Sequence, residues 1–489
     1  MDRFDFAVLG AGPAGHFGAI QAAKAGHKVV VIEELARLGG HSTSTGTIPS
    51  KALREAVLSL GGVRQRALSG ENYSTKEPPT FADLAITTDR IIANENAVFG
   101  DQLRRNGVTL LRGHGSFVAP HQLVCESTDG VRVLEAEKIL IATGSRPARP
   151  PGLDFDGRYV LDSSQILRIS AVPRRLIVVG AGVIGVEYAC IFAALGCIVT
   201  LVNDRHDFLD FADRQIVELL KHQMSRLNID FRFGEKVTDL QRANHHVVAR
   251  TASNKSLVGD CVLYCAGRQG NTEQLNLETT GLEADTRGRI KVDDNMQTAV
   301  PGLYAAGDVV GFPALAATSR EQGRRAACHA LGIGCPTSNT LLPYGIYSIP
   351  EVSMIGPTEQ ELTVACTPYE VGRARYREIA RGQILGDTDG MLKLLFDPRS
   401  LRLLAVHAIG EGATELIHIG QAVHSHGGTL DYFADAVFNY PTLAECYKVA
   451  ALDGINRAQL AARCLRASKC ADVAAPSDEV SAPPVAAAP

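Results

Sequence analysis

The run FDFAVLGAGPAGHFGAIQAAKAGHKVVVIEE, Phe4 to Glu34, decides the fold. It opens on an apolar stretch, passes through a glycine-rich segment, continues with small and apolar residues, and closes on HKVVVIEE. Such near-continuous apolar strands suit a parallel sheet covered on both faces. The same order of features returns from Arg175 as RLIVVG, AGVIG, VEYACIFAALG and CIVTLVND. The internal spacing is shared too: Gly10 to Glu33 is 33 − 10 = 23 residues, and Gly180 to Asn203 is 203 − 180 = 23. The chain carries two copies of one strand–turn–helix–strand unit.

The turns carry the chemistry. In Gly10-x-Gly12-x-x-Gly15, Gly10 permits the tight turn, Gly12 lets the backbone approach a pyrophosphate, and Gly15 lets helix and strand pack closely. Pro13 and Ala14 complete the turn, and the phosphates are expected at the helix N-terminus, where free N–H groups favour anions. Glu33, followed by Glu34, stands where a carboxylate would accept hydrogen bonds from a ribose 2′-hydroxyl. The second turn is Gly180-x-Gly182-x-x-Gly185, and there Asn203 takes the place of Glu33. Without the carboxylate a 2′-phosphate is not repelled, and Arg205 can pair with it. Asn203 can still bond a free 2′-hydroxyl, so this site is expected to accept NADPH and NADH alike. The plainer alternative makes Arg205 a solvated loop residue satisfied by Asp204.

The bulk numbers exclude other classes. In 489 residues, 45% are apolar, 21% are charged and the formal net charge is −4, which gives no electrostatic case for nucleic acid or an anionic membrane. The N-terminus shows no basic segment followed by an apolar stretch and a cleavage site, so no secretion signal is read. The apolar window Val178–Val202 contains Glu187 and three glycines near its start, as a buried strand–helix–strand would. The eleven cysteines contain no Cys-x-x-Cys, and Cys190, Cys197, Cys261 and Cys265 sit in apolar runs as small hydrophobes. A cytoplasmic location is expected. His418, His424 and His426, with Glu415, lack the second paired motif that a bridged metal site in a helical bundle needs, so no metal is assigned.

Six segments together resemble the flavoprotein disulfide reductases, the group of lipoamide dehydrogenase and glutathione reductase. They are GAGPAG with Glu33, GGHSTSTGTIPSKAL at 39–53, ATGSRP at 142–147, GAGVIGVE at 180–187, AGRQGNT at 266–272 and TAVPGLYAAGD at 298–308. The resemblance runs to about Arg463. It implies an α/β protein with two Rossmann-like dinucleotide-binding domains, for FAD and NAD(P), the second inserted in the first, plus a C-terminal α+β dimerisation domain. The boundaries expected are 1–150 and 276–340 for FAD, 151–275 for NAD(P), 341–466 for dimerisation and 467–489 for a disordered tail. The hairpin-like LKLLFDPRSLRLLAVHAIG and the amphipathic GATELIHIGQAVHSHG and ECYKVAALDGINRAQLAARCL belong to the dimerisation domain. The resemblance places Gly39, Gly40, His41, Ser42, Gly115, Thr143, Gly144, Gly307 and Asp308 along the FAD, and Gly267 beside the cofactors. It implies that His114 touches the adenine region through its backbone, and that Lys51 and Glu187 pair near the flavin's reactive nitrogen. A fixed cation there stabilises the negative charge of a reduced flavin.

The departures decide the function. Disulfide reductases carry Cys-x-x-x-x-Cys in the 39–51 segment; here the positions are Ser42 and Thr47. Neither hydroxyl can form a disulfide or relay electrons as a thiolate does. The reductases also place a His base before Pro in His-Pro-Thr-x-x-Glu; here Tyr440 precedes Pro441. GTIPSKALR, GIYSIPEVSMIGPTEQELT, YEVGRARYREIARGQI and FNYPTLAE resemble the soluble pyridine nucleotide transhydrogenases. That resemblance implies a homodimer exchanging hydride between NADPH and NAD⁺ on FAD, by a ping-pong route. The alternatives are an NAD(P)H-dependent flavin reductase for quinones, metals or oxygen, and a non-enzymatic FAD-binding redox sensor.

Overall fold

The computed structural model describes residues 1–60, 80–334 and 341–473, with side chains as far as 463. It divides into two compact units, Met1–Val352 and Ser353–Pro489.

The first unit is built on two sheets, one mixed and one parallel. Strand β1 (Asp2–Leu9), helix α1 (Pro13–Lys24) and strand β2 (Val29–Glu33) form the opening unit. Helices α2 (Gly40–Ser44), α3 (Thr47–Leu60) and α4 (Phe81–Arg105) follow. Strands β3 (Thr109–Arg112), β4 (His114–Ala119), β5 (Gln122–Ser127) and β6 (Gly130–Ile141) complete a sheet of order β3-β2-β1-β6-β5-β4. β1 is parallel to β2 and β6, whereas β5 is antiparallel to β4 and β6.

Why the strands read as unbroken apolar runs is visible in their burial. Ala7 and Leu9 of β1, Val30 and Ile32 of β2, and Ile139 and Ile141 of β6 share one core. Phe6 and Val8, Val29 and Val31, and Leu140 fill another. Alternate side chains of a strand point to opposite faces, so both faces of this sheet are covered.

The chain then leaves the sheet. The short strands β7 (Ser145–Pro147) and β8 (Val160–Asp162) lead to the second copy: β9 (Arg175–Val179), helix α5 (Val183–Ala194) and β10 (Ile198–Asn203). With helix α6 (Arg214–Arg226), β11 (Ile229–Phe233), the antiparallel β12 (Val237–Ala243), β13 (His246–Thr251) and β14 (Ser256–Gly259), and β15 (Cys261–Tyr264), this gives a parallel sheet of order β11-β10-β9-β15-β8. The strand β16 (Arg268–Gly270) returns to pair with β7, and β17 (Leu303–Ala305) rejoins the first sheet beside β6. The second sheet is thus inserted in the chain of the first. Helix α7 (Ala316–Ala330) and the strand β18 (Tyr344–Ile346) end the unit. The apolar window around Glu187 is β9, α5 and β10, and α5 is buried from Gly185 to Ala194. Among the described residues no helix is long and apolar enough to cross a membrane.

In the second unit β19 (Val352–Ile355), β20 (Glu370–Arg375), β21 (Met391–Phe396) and β22 (Leu403–Ile409) lie in the order β19-β22-β21-β20. The expected hairpin is β21–β22, with Lys393 opposite His407. Lys393 is fully buried and its Nζ pairs with Glu359 at 2.7 Å. The short helices α8 (Glu359–Val364) and α9 (Ala380–Leu385) precede α10 (Ala413–Ser425), α11 (Leu430–Asp435) and α12 (Glu445–Val473). Gly372 on β20 carries no side chain because a Cβ there would strike the carbonyl oxygen of Ala450 on α12.

Helix α12 continues to Val473, past position 467 where the expected tail begins. Ala467 to Val473 contains no glycine or proline, and the nearest breaker is Pro476. Residues 474–489 of the expected tail lie outside the described residues.

Leu140→Ala is expected to lower the stability of the first unit by about 3 kcal/mol, because it empties a fully buried site in the central strand. The urea midpoint of its fluorescence transition measures this, and an unmoved midpoint contradicts the two-faced core.

Candidate active site

The two glycine turns have the same geometry. Gly10 has φ +98° and Gly180 has φ +102°, backbone that L side chains rarely adopt. A Cβ on Gly15 would run into the carbonyl oxygen of Gly10, and one on Gly185 into that of Gly180. The middle glycines differ from these. Around Gly12 a Cβ would meet only the Cα of Gly40, at 3.9 Å, and around Gly182 it would meet nothing within 4 Å. Space is therefore left in front of each helix N-terminus, where a dinucleotide pyrophosphate fits.

Each turn is fastened by the residue that ends its second strand. Glu33 is buried, and its Oε2 accepts the Ala11 N–H at 2.7 Å while Oε1 accepts that of Leu35 at 2.8 Å. Burial pushes the Glu33 carboxyl up, against the pull of these N–H groups and of Arg112. Asn203 repeats the contact more loosely: its Oδ1 accepts the Ala181 N–H at 3.3 Å. Its Nδ2 donates to the carbonyls of Arg205 and Asp207, so the amide shapes the loop that carries Arg205. Arg205 pairs with Asp210 at 2.7 Å, both largely exposed, rather than with its neighbour Asp204.

Lys51 on α3 and Glu187 on α5 meet at 2.6 Å. Glu187 is buried; its other oxygen accepts the N–H of Tyr347 at 2.9 Å, and Lys51 Nζ lies 4.9 Å from the centre of the Tyr347 ring. The carboxylate is thus satisfied on both oxygens, which a buried charge requires.

Asp308 follows β17 through Gly307, whose N–H donates to Gln322. Ser145 Oγ donates to Asp308 Oδ2 at 2.7 Å and accepts from Arg268 Nε at 2.8 Å. Arg268 also donates to the Ser145 carbonyl and stands 3.6 Å from Asp308. Burial pulls the Arg268 guanidinium below its ordinary value, and Asp308 opposes this. His41 is held low by burial and then by Arg268; its Nδ1 lies 2.7 Å from Thr45 Oγ1. Neither Ser145 nor Arg268 was singled out from sequence, although both lie inside the quoted segments ATGSRP and AGRQGNT.

Among the described residues, three buried hydroxyls have no hydrogen-bond partner: Thr43 Oγ1, Ser44 Oγ and Thr143 Oγ1. Thr143 borders Gly10, while Thr43 and Ser44 lie on α2 behind Gly39 and Gly40, with Gly40 next to Gly12. Unpaired buried polar atoms call for a partner. A dinucleotide with phosphate and ribityl oxygens fits this cradle, with Gly144 open beside it. Gly115 sits in β4, where a Cβ would meet Leu9 and Ile32, so it serves sheet packing. His114 reaches the carbonyl of Gln274 at 3.0 Å and Glu34 at 3.4 Å through its ring. Gly267 has space around it except for Ala148 at 3.7 Å.

Ser42 lies on α2 and Thr47 opens α3. Burial pushes the Cys190, Cys197 and Cys261 thiols up to about 12. His418 and His426 are engaged by Gln421 and by the Ala422 carbonyl.

The family described as pyridine nucleotide-disulphide oxidoreductase matches residues 4–323, and its dimerisation domain matches residues 342–451. The chain belongs to this family. Among curated members of the pyridine nucleotide-disulphide oxidoreductase family, it is 52% identical over 461 residues to the soluble pyridine nucleotide transhydrogenase of Mycobacterium tuberculosis, covering 94% of this chain and 98% of that one. It is 44% identical to the protein of that name from Pseudomonas putida, over 93% and 99% of the two chains. Among solved structures it resembles LpdA from Mycobacterium tuberculosis, with a TM-score of 0.84 at 25% identity over 92% of this chain and 99% of that one. The HOCl-induced flavoprotein disulfide reductase RclA from Escherichia coli gives 0.82 at the same identity and coverage.

Gly182→Val is expected to fold normally, because the backbone there is extended and a Cβ meets nothing. It should retain its yellow colour yet bleach about tenfold or more slowly with NADPH, while dithionite still bleaches it. Equal bleaching by NADPH would remove Gly182 from the nicotinamide nucleotide site.

Proposed function

We propose that this chain is an FAD-dependent transhydrogenase that moves hydride between NADPH and NAD⁺, as a homodimer in the cytoplasm. The observation that carries this reading is the 2.6 Å pair of Lys51 with the buried Glu187, combined with hydroxyls at 42 and 47. When bound, FAD takes hydride from one nicotinamide and returns it to another. The names of the relatives, transhydrogenases at 52% and 44% identity over nearly the whole chain, support the same reading.

The residues divide the work. The first glycine turn and α1 hold the FAD pyrophosphate, and Glu33 keeps that turn closed through Ala11. Asp308, with one oxygen already held by Ser145, offers its other oxygen to the ribityl or phosphate region. Lys51 supplies the fixed cation beside the isoalloxazine, and Glu187 holds it there. A charge placed in advance needs no reorganisation when electron density arrives. The second turn takes the exchanging nucleotide, and its neutral Asn203 leaves a 2′-phosphate unopposed. Arg205 is bound only by an exposed pair with Asp210, worth about 1 kcal/mol or less, so a 2′-phosphate can draw it away. With hydroxyls at 42 and 47, electrons have no path to a disulfide substrate. The reducing equivalents that enter from one nicotinamide leave to another, after the first product has dissociated.

The test mixes purified yellow protein anaerobically with NADPH and an NAD⁺ analogue whose reduced form absorbs at a separate wavelength. Steady reduction of the analogue is expected. Flavin bleaching without onward transfer would favour a quinone-type reductase, and no bleaching would favour a sensor. Lys51→Ala should keep FAD and slow its bleaching by about tenfold, the loss of one charge-assisted interaction. Unaltered bleaching would remove Lys51 from the mechanism.

A further inference from the structure

Arg54 is among the largest fully buried side chains in the protein, at 1% exposure. It stands one turn after Lys51 on α3. Its Nε donates to the carbonyl of Ser348 at 3.0 Å, and its Nη1 lies 2.6 Å from Glu55 and 3.2 Å from the buried Glu351. Burying a guanidinium is expensive, and an apolar side chain of the same volume would fill such a space at least as stably. The reason for a cation must lie in what its hydrogen bonds hold.

They hold the segment from Tyr347 to Glu351. Ser348 is itself fully buried, and its hydroxyl donates to the Pro350 carbonyl at 2.6 Å, closing the segment on itself. The peptide N–H directly before Ser348 is that of Tyr347, which donates to Glu187. The Tyr347 ring lies under Lys51. On the other side, Cys190, one turn beyond Glu187 on α5, meets the backbone at Ile349 and lies within the field of Arg54. The segment is gripped between α3, which carries Lys51 and Arg54, and α5, which carries Glu187 and Cys190.

We propose that Arg54 is a positioning residue for hydride transfer: it fixes the Tyr347–Glu351 segment, so that the Tyr347 N–H orients Glu187 and Glu187 orients Lys51. This rests on the transhydrogenase reading above. Arg54 touches neither the flavin cradle nor the nucleotide turns among the contacts described here. Its effect travels through one carbonyl, one peptide N–H and one carboxylate. Lysine cannot replace it, because a single ammonium cannot serve the Ser348 carbonyl and the Glu351 carboxylate with the planar geometry of the guanidinium fork.

The experiment measures anaerobic flavin reduction of the FAD-loaded enzyme by stopped flow across NADPH concentrations, for wild type, Arg54→Lys, Glu187→Gln and the double variant. Arg54→Lys is expected to lower the limiting rate about tenfold, the loss of a charge-assisted hydrogen bond, with half-saturation by NADPH changed less than about twofold. In the Glu187→Gln background the same substitution should add less than about twofold, since the chain it acts through is already cut. A lower melting temperature with an unchanged limiting rate overturns the proposal, and so do effects that simply multiply. If Arg54→Lys fails to retain FAD, Glu351→Gln keeps an acceptor for the guanidinium and should slow reduction about threefold, again without adding to Glu187→Gln; an unchanged rate overturns the proposal there too. Wild-type protein whose flavin NADPH does not reduce would overturn the transhydrogenase reading and this inference with it. Normal wild-type reduction with an unaffected Arg54→Lys overturns only the role of Arg54.

Discussion

The ion pair between Lys51 and Glu187 joins two helices whose residues stand 136 apart in sequence. It brings the first dinucleotide unit to the second, because Lys51 follows the first glycine turn and Glu187 belongs to the helix of the other. Exposed pairs of this kind are worth little, and this one would be too if it lay in water. It is fixed because Glu187 is buried and both of its oxygens are engaged. Removing Lys51 would leave the buried Glu187 carboxylate without its cation, so the pair constrains the helices as firmly as the helices constrain it.

The two copies of the nucleotide unit share a backbone but not a fastening. Glu33 ties its turn with one short bond, from Ala11 to a carboxylate oxygen, whereas Asn203 ties its turn with one longer bond to a neutral amide oxygen. Charge-assisted bonds are the stronger kind. A firmly closed turn suits a cofactor that stays, and a looser, uncharged one suits a nucleotide that must leave in each cycle and come with or without a 2′-phosphate. On the proposed function, one duplicated motif would serve retention in one place and exchange in the other through a single position.

How far the sequence could be read depends on how local the interactions are. The glycine turns, the strand ends at 33 and 203 and the β21–β22 hairpin are written in short windows, and all stand where those windows put them. The inserted order of the sheets was reached through the segment around Tyr304, which does return to β6. What escaped notice is long-range or made by backbone. Ser145, Arg268 and Asp308 form one chain of hydrogen bonds across separations of 123 and 163 residues, and no spacing rule foretells that. The Tyr347 N–H that steadies Glu187 has no side-chain signature at all. Arg205 turns to Asp210 instead of the adjacent Asp204, a choice made by the fold of the loop around Asn203. The last helix outran its expected end because composition rich in alanine reads equally as a helix or as a tail.

The loss of the thiols has a consequence for the rest of the flavin surroundings. A disulfide beside a flavin stores electrons, so the protein need not time the departure of one nicotinamide and the arrival of the next. In the proposed reaction, which has no such store, fixed groups near the flavin would have to stabilise it between half-reactions. Lys51 would be the cation for that task; it is held through Glu187, whose other oxygen accepts the Tyr347 N–H, with Arg54 one bond further out. Within that series Glu187 and Arg54 are buried, and both oxygens of Glu187 are engaged. A protein that exchanges hydride between nicotinamides has reason to keep its cation in place while its substrates change, and a carboxylate engaged on both oxygens achieves this.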